Sequence, residues 1–377
     1  MTSDTSSISH HEWLTLIHAR GITPAVLDSV SARYGSLKTI FDLDADQLRQ
    51  LGLGENTAQR LKNPEKEAIE RDLAWLERNG RDLLTCRDPH YPALLRSLVD
   101  APVAIYCVGN PEILALPQLA IVGSRNPTNT GRDTAAAFAH HMAGVGLSIV
   151  SGLANGIDAA AHQGALSASG HTVAICGTGL DQIYPPSNRK LATDIAASGL
   201  LLSEYPVGTP PRRYHFPQRN RLISGMSVGT LVVEAARRSG SLITARQAIE
   251  QGREVFAVPG SIHNPLARGC HQLLREGAKL VESAEDILTE LGALVTLHTT
   301  ATSERTDKEQ EDELDPDYHI LLNALDYDPA TVDTLINRSG LTPDAVSSML
   351  LILELQGHVT PVSGGRFVRA REGKDNP

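Results

Sequence analysis

Four cysteines, Cys86, Cys107, Cys176 and Cys270, stand far apart and supply neither a disulfide framework nor the paired thiols of a zinc site. No apolar run approaches the roughly 20 residues of a membrane-spanning helix, and no secretory segment opens the sequence. A reduced, cytoplasmic protein without a membrane segment is expected. The histidines form no metal-spaced cluster: His140 and His141 are adjacent, while His162, His215, His263 and His271 are scattered. Ser151 in VSGLA and Ser224 in ISGM lack the Gly two residues earlier that a nucleophile elbow shows. LAIVGSRNPTNTG lacks the glycine spacing of a dinucleotide fingerprint, and no well-placed acid follows for a ribose. No catalytic residue, metal or cofactor is therefore expected. Aromatics are sparse, with five Phe, eight Tyr and two Trp.

A basic excess is also missing, since the net charge is -10. A polyanion senses the distribution of charge rather than its total. From Ser187 to Arg246 nine Lys or Arg face three Asp or Glu, whereas from Glu304 to Asp317 eight acids face two bases. The acidity is thus gathered partly in a linker, and a basic central face remains compatible with an acidic chain.

A length of 377 residues allows two or three domains. Residues 1–62 read as short helices separated by Gly21, Pro24, Gly35 and Gly52, a small packing module in which LGLGENTAQRL resembles a helix-hairpin-helix turn. Residues 63–117 read as a connector. From 118 to 292, short apolar runs (LAIVGS, LSIVSG, HTVAIC, LLLSEYP, TLVVEA, EVFAVPG, KLVES) alternate with helical patterns. Parallel neighbours need crossover connections, so this alternation predicts an α/β fold, a doubly wound parallel sheet of extended Rossmann type. An acidic linker, residues 293–317, is expected to be loosely held. Residues 318–377 read as three helices and a β-hairpin with Gly364 and Gly365 at its tip, the order of a winged helix. Its helix from Thr342 to Gln356 carries Asp344 and Glu354 and no base. Phosphate repulsion makes it a poor DNA reader, which favours protein contact or docking over operator binding.

In an open α/β sheet, ligands bind outside the carboxyl ends of the strands, where four loops converge. GSRNPTNTG supplies Gly123 for close backbone approach, Ser124 as a donor and Arg125 as a phosphate fork. SGLANGID supplies Ser151, Gly152, Asn155 and Gly156 before a helix N-terminus, where Asp158 complements the dipole. GTGLDQIYPPSNRKL ends a strand at Gly177 and opens a helix at Asn188, Arg189 and Lys190. FPQRNRLISGMSVGTLVVEAARRSGSLITA adds Arg219 and Arg221, then Ser239, Gly240 and Ser241 at another helix start. Glu234 ends the apolar run and is a candidate partner for an Arg. The phosphates so recognised belong either to a nucleotide or to a nucleic-acid backbone.

These four segments, with SEYPVGTPP and GREVFAVPG followed by GCHQLLREGAKLV, resemble the DNA-processing protein A family, DprA, also called Smf. The matches run in family order across residues 118–292, and the flanking modules resemble the longer members. The resemblance implies a sequence-independent binder of single-stranded DNA that protects incoming strands in natural transformation and helps load the recombinase RecA, working as a homodimer through the Rossmann domain. It places Arg125, Asn188, Arg189, Lys190, Phe216, Arg219, Asn220 and Arg221 at the DNA pocket, with Phe216 a stacking platform or a core residue. Two positions depart from the pattern. Thr130 stands where an aromatic is frequent, and His271 where Asn is common. With so few aromatics, electrostatics is expected to carry more of the affinity than stacking. The alternative is a nucleotide-binding enzyme of the lysine-decarboxylase-like phosphoribohydrolase type. MSVGTLVVE keeps Gly229 and Thr230 of its PGGxGTxxE loop but lacks PGG and places Glu234 one residue late.

Overall fold

The computed structural model describes residues 8–292, 316–325, 330–355, 359–362 and 366–369. The chain forms two compact units divided near residue 300. In the larger unit, five α-helices (His10–Ala19, Pro24–Tyr34, Ala45–Gln50, Glu55–Lys62, Lys66–Leu76) precede the sheet. Local signals set their ends. Ser9 and Glu12 form a capping box at the start of the first, and Gly35 closes the second with φ 78°. Trp13, Leu14, Leu16, Leu27 and Val30 face inward, and their core runs without interruption into one face of the sheet.

The sheet has nine strands: β1 (Arg81–Thr85), β2 (Ala104–Gly109), β3 (Gln118–Gly123), β4 (Ser148–Ser151), β5 (Thr172–Ile175), β6 (Leu200–Ser203), β7 (Gly229–Val233), β8 (Glu254–Ala257) and β9 (Lys279–Leu280). Their spatial order is β1-β2-β6-β5-β4-β3-β7-β8-β9. Strands β3 to β9 run parallel, each joined to the next through a helix, as the alternation of apolar runs predicts. Strands β1 and β2 extend the sheet in antiparallel pairing, with β2 against β6. The stretch read as a connector is therefore partly sheet: its AIYCVG run covers what would otherwise be an open edge at β6.

Along β3, Leu119 and Ile121 join one core and Ala120 and Val122 the other, all four nearly inaccessible. This period-two sorting is what a strand covered on both faces requires. The chain winds outward from β3 through β4, β5 and β6, then returns to β7 on the other side of β3. Loops leaving β3 and β7 diverge at this reversal and open a crevice between them.

The smaller unit contains helices Pro316–Leu325, Val332–Ser339 and Pro343–Leu355, and a three-stranded antiparallel sheet of Ala330–Thr331, Arg366–Arg369 and Val359–Val362 in that spatial order. Leu321, Leu325, Leu335, Val346, Leu350 and Leu353 form its core. Three helices and a hairpin are the winged-helix order expected. Gly364 and Gly365, and the linker up to residue 315, lie outside the described residues.

Candidate nucleic-acid interface

A pocket of ≈ 390 Å³ occupies the crevice, with Ser124 and Arg125 after β3, Ala236 and Ser239 after β7, and Phe216, Arg219 and Asn220 from the His215–Gly225 helix among its lining residues. A smaller one of ≈ 210 Å³ shares Arg125, Phe216 and Arg219 and extends to Asn155, Tyr184 and Pro185. The loops are held tightly. At Gly123 a Cβ would come within 1.9 Å of the Val233 carbonyl oxygen, so only glycine lets β3 and β7 approach this closely. Leu153 and Glu234, beyond β4 and β7, adopt left-handed backbone at φ 59° and 50°. Such backbone costs about 1–3 kcal/mol per residue and persists where surrounding bonds enforce it.

For Glu234 those bonds are visible. Its carboxylate accepts from the Thr128 N–H and hydroxyl, both at 2.7 Å, and from the Asn264 amide at 3.0 Å. Glu234 thus pairs with no arginine among the described residues; it ties the loops after β3, β7 and β8 together. Thr128 in turn caps the Asn129–Gly144 helix.

Arg219 lies under the pocket rather than reaching out of it. It is 4% exposed, and its Nη1 donates to the Gly152 carbonyl at 2.7 Å and to the Ile175 carbonyl. Gly152 sits between this guanidinium and the Asp158 carboxylate, which accepts from the Gly152 and Ala154 amides at 3.2 and 3.3 Å. Burial pushes the Asp158 carboxyl up and the Arg219 guanidinium down, and the attraction between them works against both shifts. The pair cross-links the carboxyl ends of β4 and β5. Nearby, burial lowers His162 to about 3 and raises Cys176 to about 11, so both are neutral near pH 7. The Thr172 hydroxyl donates to the Ile149 carbonyl, which leaves it accepting from His162 Nδ1 at 2.7 Å.

The accessible cation is Arg125. It is exposed, forms no ion pair among the described residues, and holds its guanidinium carbon 5.9 Å from the Phe216 ring centroid. Tyr184, 46% exposed, is tilted against Phe216 with the ring centroids 5.5 Å apart. A half-buried Phe216, neither purely core nor free, thus joins an aromatic pair at the pocket mouth. Tyr184 was not among the residues singled out in the sequence; its signal was its place in the third loop, where the cations drew the weight instead.

The remaining expected residues divide. Gly152, Asn155, Asn220, Ser239, Gly240 and Ser241 line one pocket or the other. Gly156, at φ 86°, brings the second loop against the first. Asn188 donates to the Leu153 carbonyl at 2.9 Å and Ser187 to Asn155, so these residues buttress the second loop. Arg189 and Lys190 are exposed beside it, with Lys190 paired to Asp194. Ser151 is fully buried, donating to the Ile121 carbonyl at 2.7 Å, because the strand pleat turns it into the sheet. Gly177 is covered by Phe216. Arg221 faces away from the pocket: it pairs with Glu204 at 2.6 Å and Asp100 at 3.0 Å. Helix geometry requires this, since residues two apart sit about 200° from each other around the axis and Arg219 already faces inward.

Comparison with known proteins agrees with this architecture. The family profile described as DNA recombination-mediator protein A matches residues 82–292, and that of the DprA winged helix domain matches 305–365. Protein Smf of Escherichia coli (strain K12) is 42% identical over 331 residues, 87% of this chain and 88% of that protein. DNA processing protein DprA of Streptococcus pneumoniae is 48% identical over 203 residues, 54% of this chain and 72% of that protein. The X-ray structure of DprA from Streptococcus pneumoniae superposes with a TM-score of 0.67 at 37% identity, covering 75% of this chain and 98% of that one. DNA processing protein A from Helicobacter pylori, whose structure concerns its single-stranded DNA binding mode, gives 0.52 at 32% identity over 56% of this chain and 95% of that one. With the family profile spanning more than half of the chain, the winged-helix profile matching its C-terminal module and a relative 42% identical over 87% of it, the chain belongs to the DNA recombination-mediator protein A family.

Proposed function

We propose that the chain binds single-stranded DNA without sequence preference, with the strand crossing the crevice between the β3 and β7 loops. The observation that carries this reading is Arg125, an exposed cation with no acidic partner among the described residues, set beside the Phe216 ring and its neighbour Tyr184. A phosphate needs the first and an unstacked base needs the second, and neither contact depends on base identity. Exposed Arg189, Arg212, Arg213, Arg237 and Arg238 extend the positive charge along the loops. Glu234, the acid that a phosphoribohydrolase reading requires, has both oxygens engaged by Thr128 and Asn264, which supports holding a strand over cutting one. Family membership supports the finer reading: a non-catalytic cytoplasmic mediator that protects incoming strands, hands them to the recombinase RecA and works as a homodimer through the Rossmann domain. Affinity for a labelled single strand and for the matching duplex, across a salt series, tests the core of it. The single strand is expected to bind tighter, with affinity falling steeply as salt rises and little dependence on sequence; a preference for the duplex overturns the reading.

A further inference from the structure

One end of the larger pocket is built differently from the Arg125–Phe216 mouth. The Gly240–Glu250 helix begins there, with Ser239 as its N-cap; the Ser239 hydroxyl accepts from the Ser241 N–H at 3.2 Å and lies 2.6 Å from the Ser241 hydroxyl. The amide of Gly240 has no acceptor among the described residues, and a Cβ added at Gly240 would meet nothing within 4 Å. The glycine is therefore required neither by backbone conformation nor by packing, and its missing side chain leaves the helix terminus open to the pocket.

A second observation points independently to a ligand. Thr244, one turn further along, is 1% exposed, and its hydroxyl forms no hydrogen bond with any described group. Threonine in a helix ordinarily bonds back to the carbonyl four residues earlier, and this hydroxyl instead keeps its bonding capacity free. The little access it keeps is to the pocket it lines. Ser124, on the facing loop, accepts from the Asn126 amide at 3.1 Å and retains its own proton to donate.

We propose that this end of the crevice is a phosphomonoester site, taking the terminal phosphate of a bound strand or that of a free nucleoside 5′-monophosphate. The donors are the Gly240 amide, the hydroxyls of Ser124 and Thr244, whichever of the paired Ser239 and Ser241 hydroxyls keeps its proton free, and the Arg125 guanidinium. A phosphodiester has two non-bridging oxygens and one charge, whereas a terminal phosphate has three and close to two charges at neutral pH, which matches a helix N-terminus with this many donors. The inner wall is apolar, with Val122 and Ile223 at 4% and 1% exposure, which suits a chain end better than a chain passing through. A volume of ≈ 390 Å³ lies at the lower end of small-ligand sites (about 300–1,000 Å³), room for one nucleotide rather than several.

The strand-end form rests on the single-strand reading above, and the test separates the two. Full-length protein is titrated with one labelled oligonucleotide carrying either a 5′-phosphate or a 5′-hydroxyl, and with a nucleoside 5′-monophosphate as competitor. The phosphorylated strand is expected to bind roughly tenfold tighter. Gly240→Ala and Thr244→Val are each expected to erase this advantage, so that the variant binds the phosphorylated and the hydroxyl-ended strand equally. Both variants should fold: alanine favours a helix more than glycine does, and valine keeps the shape of a threonine that makes no hydrogen bond with any described group. Competitor that abolishes the advantage at the concentration at which it binds alone assigns a free nucleotide as ligand; competitor without effect assigns the strand end. Equal affinity for both strands together with no monophosphate binding overturns the proposal, as does a Gly240→Ala variant that keeps the full phosphate preference. If neither strand binds but the monophosphate does, and Gly240→Ala abolishes it, the site stands and the single-strand reading falls.

Discussion

The two sides of the His215–Gly225 helix treat positive charge in opposite ways. Toward the connector, Arg221 is matched by Glu204 and Asp100, and Arg253 spends one nitrogen on the carbonyls of Leu94 and Gly225. Toward the crevice, Arg219 is sequestered by carbonyls and Asp158, and of the two arginines that line the pockets Arg125 is the one left over, beside the Phe216 ring. Cations on the first side hold the protein together; the surplus on the second is available to a polyanion. Local pairing, and not the number of arginines in a segment, decides where an acidic chain can take up DNA.

The comparison breaks most visibly at Arg221. Its partner Glu204 keeps only 14% of its side chain exposed, and burial already pushes that carboxyl up. Arg221→Ala is expected to cost about 3 kcal/mol of stability in urea unfolding, with the single-strand affinity of the folded variant within twofold of wild type. On the crevice side, Phe216→Ala removes the ring that Arg125 and Tyr184 approach. Affinity is expected to fall roughly tenfold, the lower part of the range for one stacked base, with thermal stability falling less than in Arg221→Ala.

A smaller effect sharpens the crevice side by pH. Burial holds His162 at about 3, below its ordinary 6.5, so the unfolded chain takes up this proton first. The stability contributed by neutral His162 is full above pH 6.5 and is lost as pH falls from there toward 3, about 1 kcal/mol between pH 7 and 5.5. Asp158 and Glu204, both raised by burial, act in the opposite direction at lower pH. His162→Asn is therefore expected to flatten the pH dependence of urea midpoints between 7 and 5.5; an unchanged slope would show that the folded chain protonates His162 as readily as the unfolded one.

Much of the fold was legible because it rests on local patterns. Each of the seven apolar runs from LAIVGS to KLVES became a strand, the last reduced to Lys279–Leu280. Strands β1 and β2 were not legible. The pairing of β2 with β6, on which β1 is added as the outermost strand, joins segments about a hundred residues apart, and the prolines and turns around AIYCVG masked it. The four crevice loops were recognisable from Gly, Ser and Arg after strands. Which arginine lines the crevice was not: helix phase separates Arg219 from Arg221, but the side that points into the crevice depends on Glu204 and Asp100, which come from distant segments. Tyr184 and Thr244 escaped notice because neither carries charge, and their role comes only from the loops and helix that bring them to the pocket.

The most direct test is the salt dependence of single-strand binding for Arg125→Ala beside Arg221→Ala. Losing one phosphate contact is expected to flatten the slope of log affinity against log salt by about 0.7 in Arg125→Ala, with weaker binding to all sequences, while Arg221→Ala keeps the wild-type slope. A flattened slope in Arg221→Ala with an unchanged one in Arg125→Ala would contradict the division of the two sides and move the DNA to the other face of the helix.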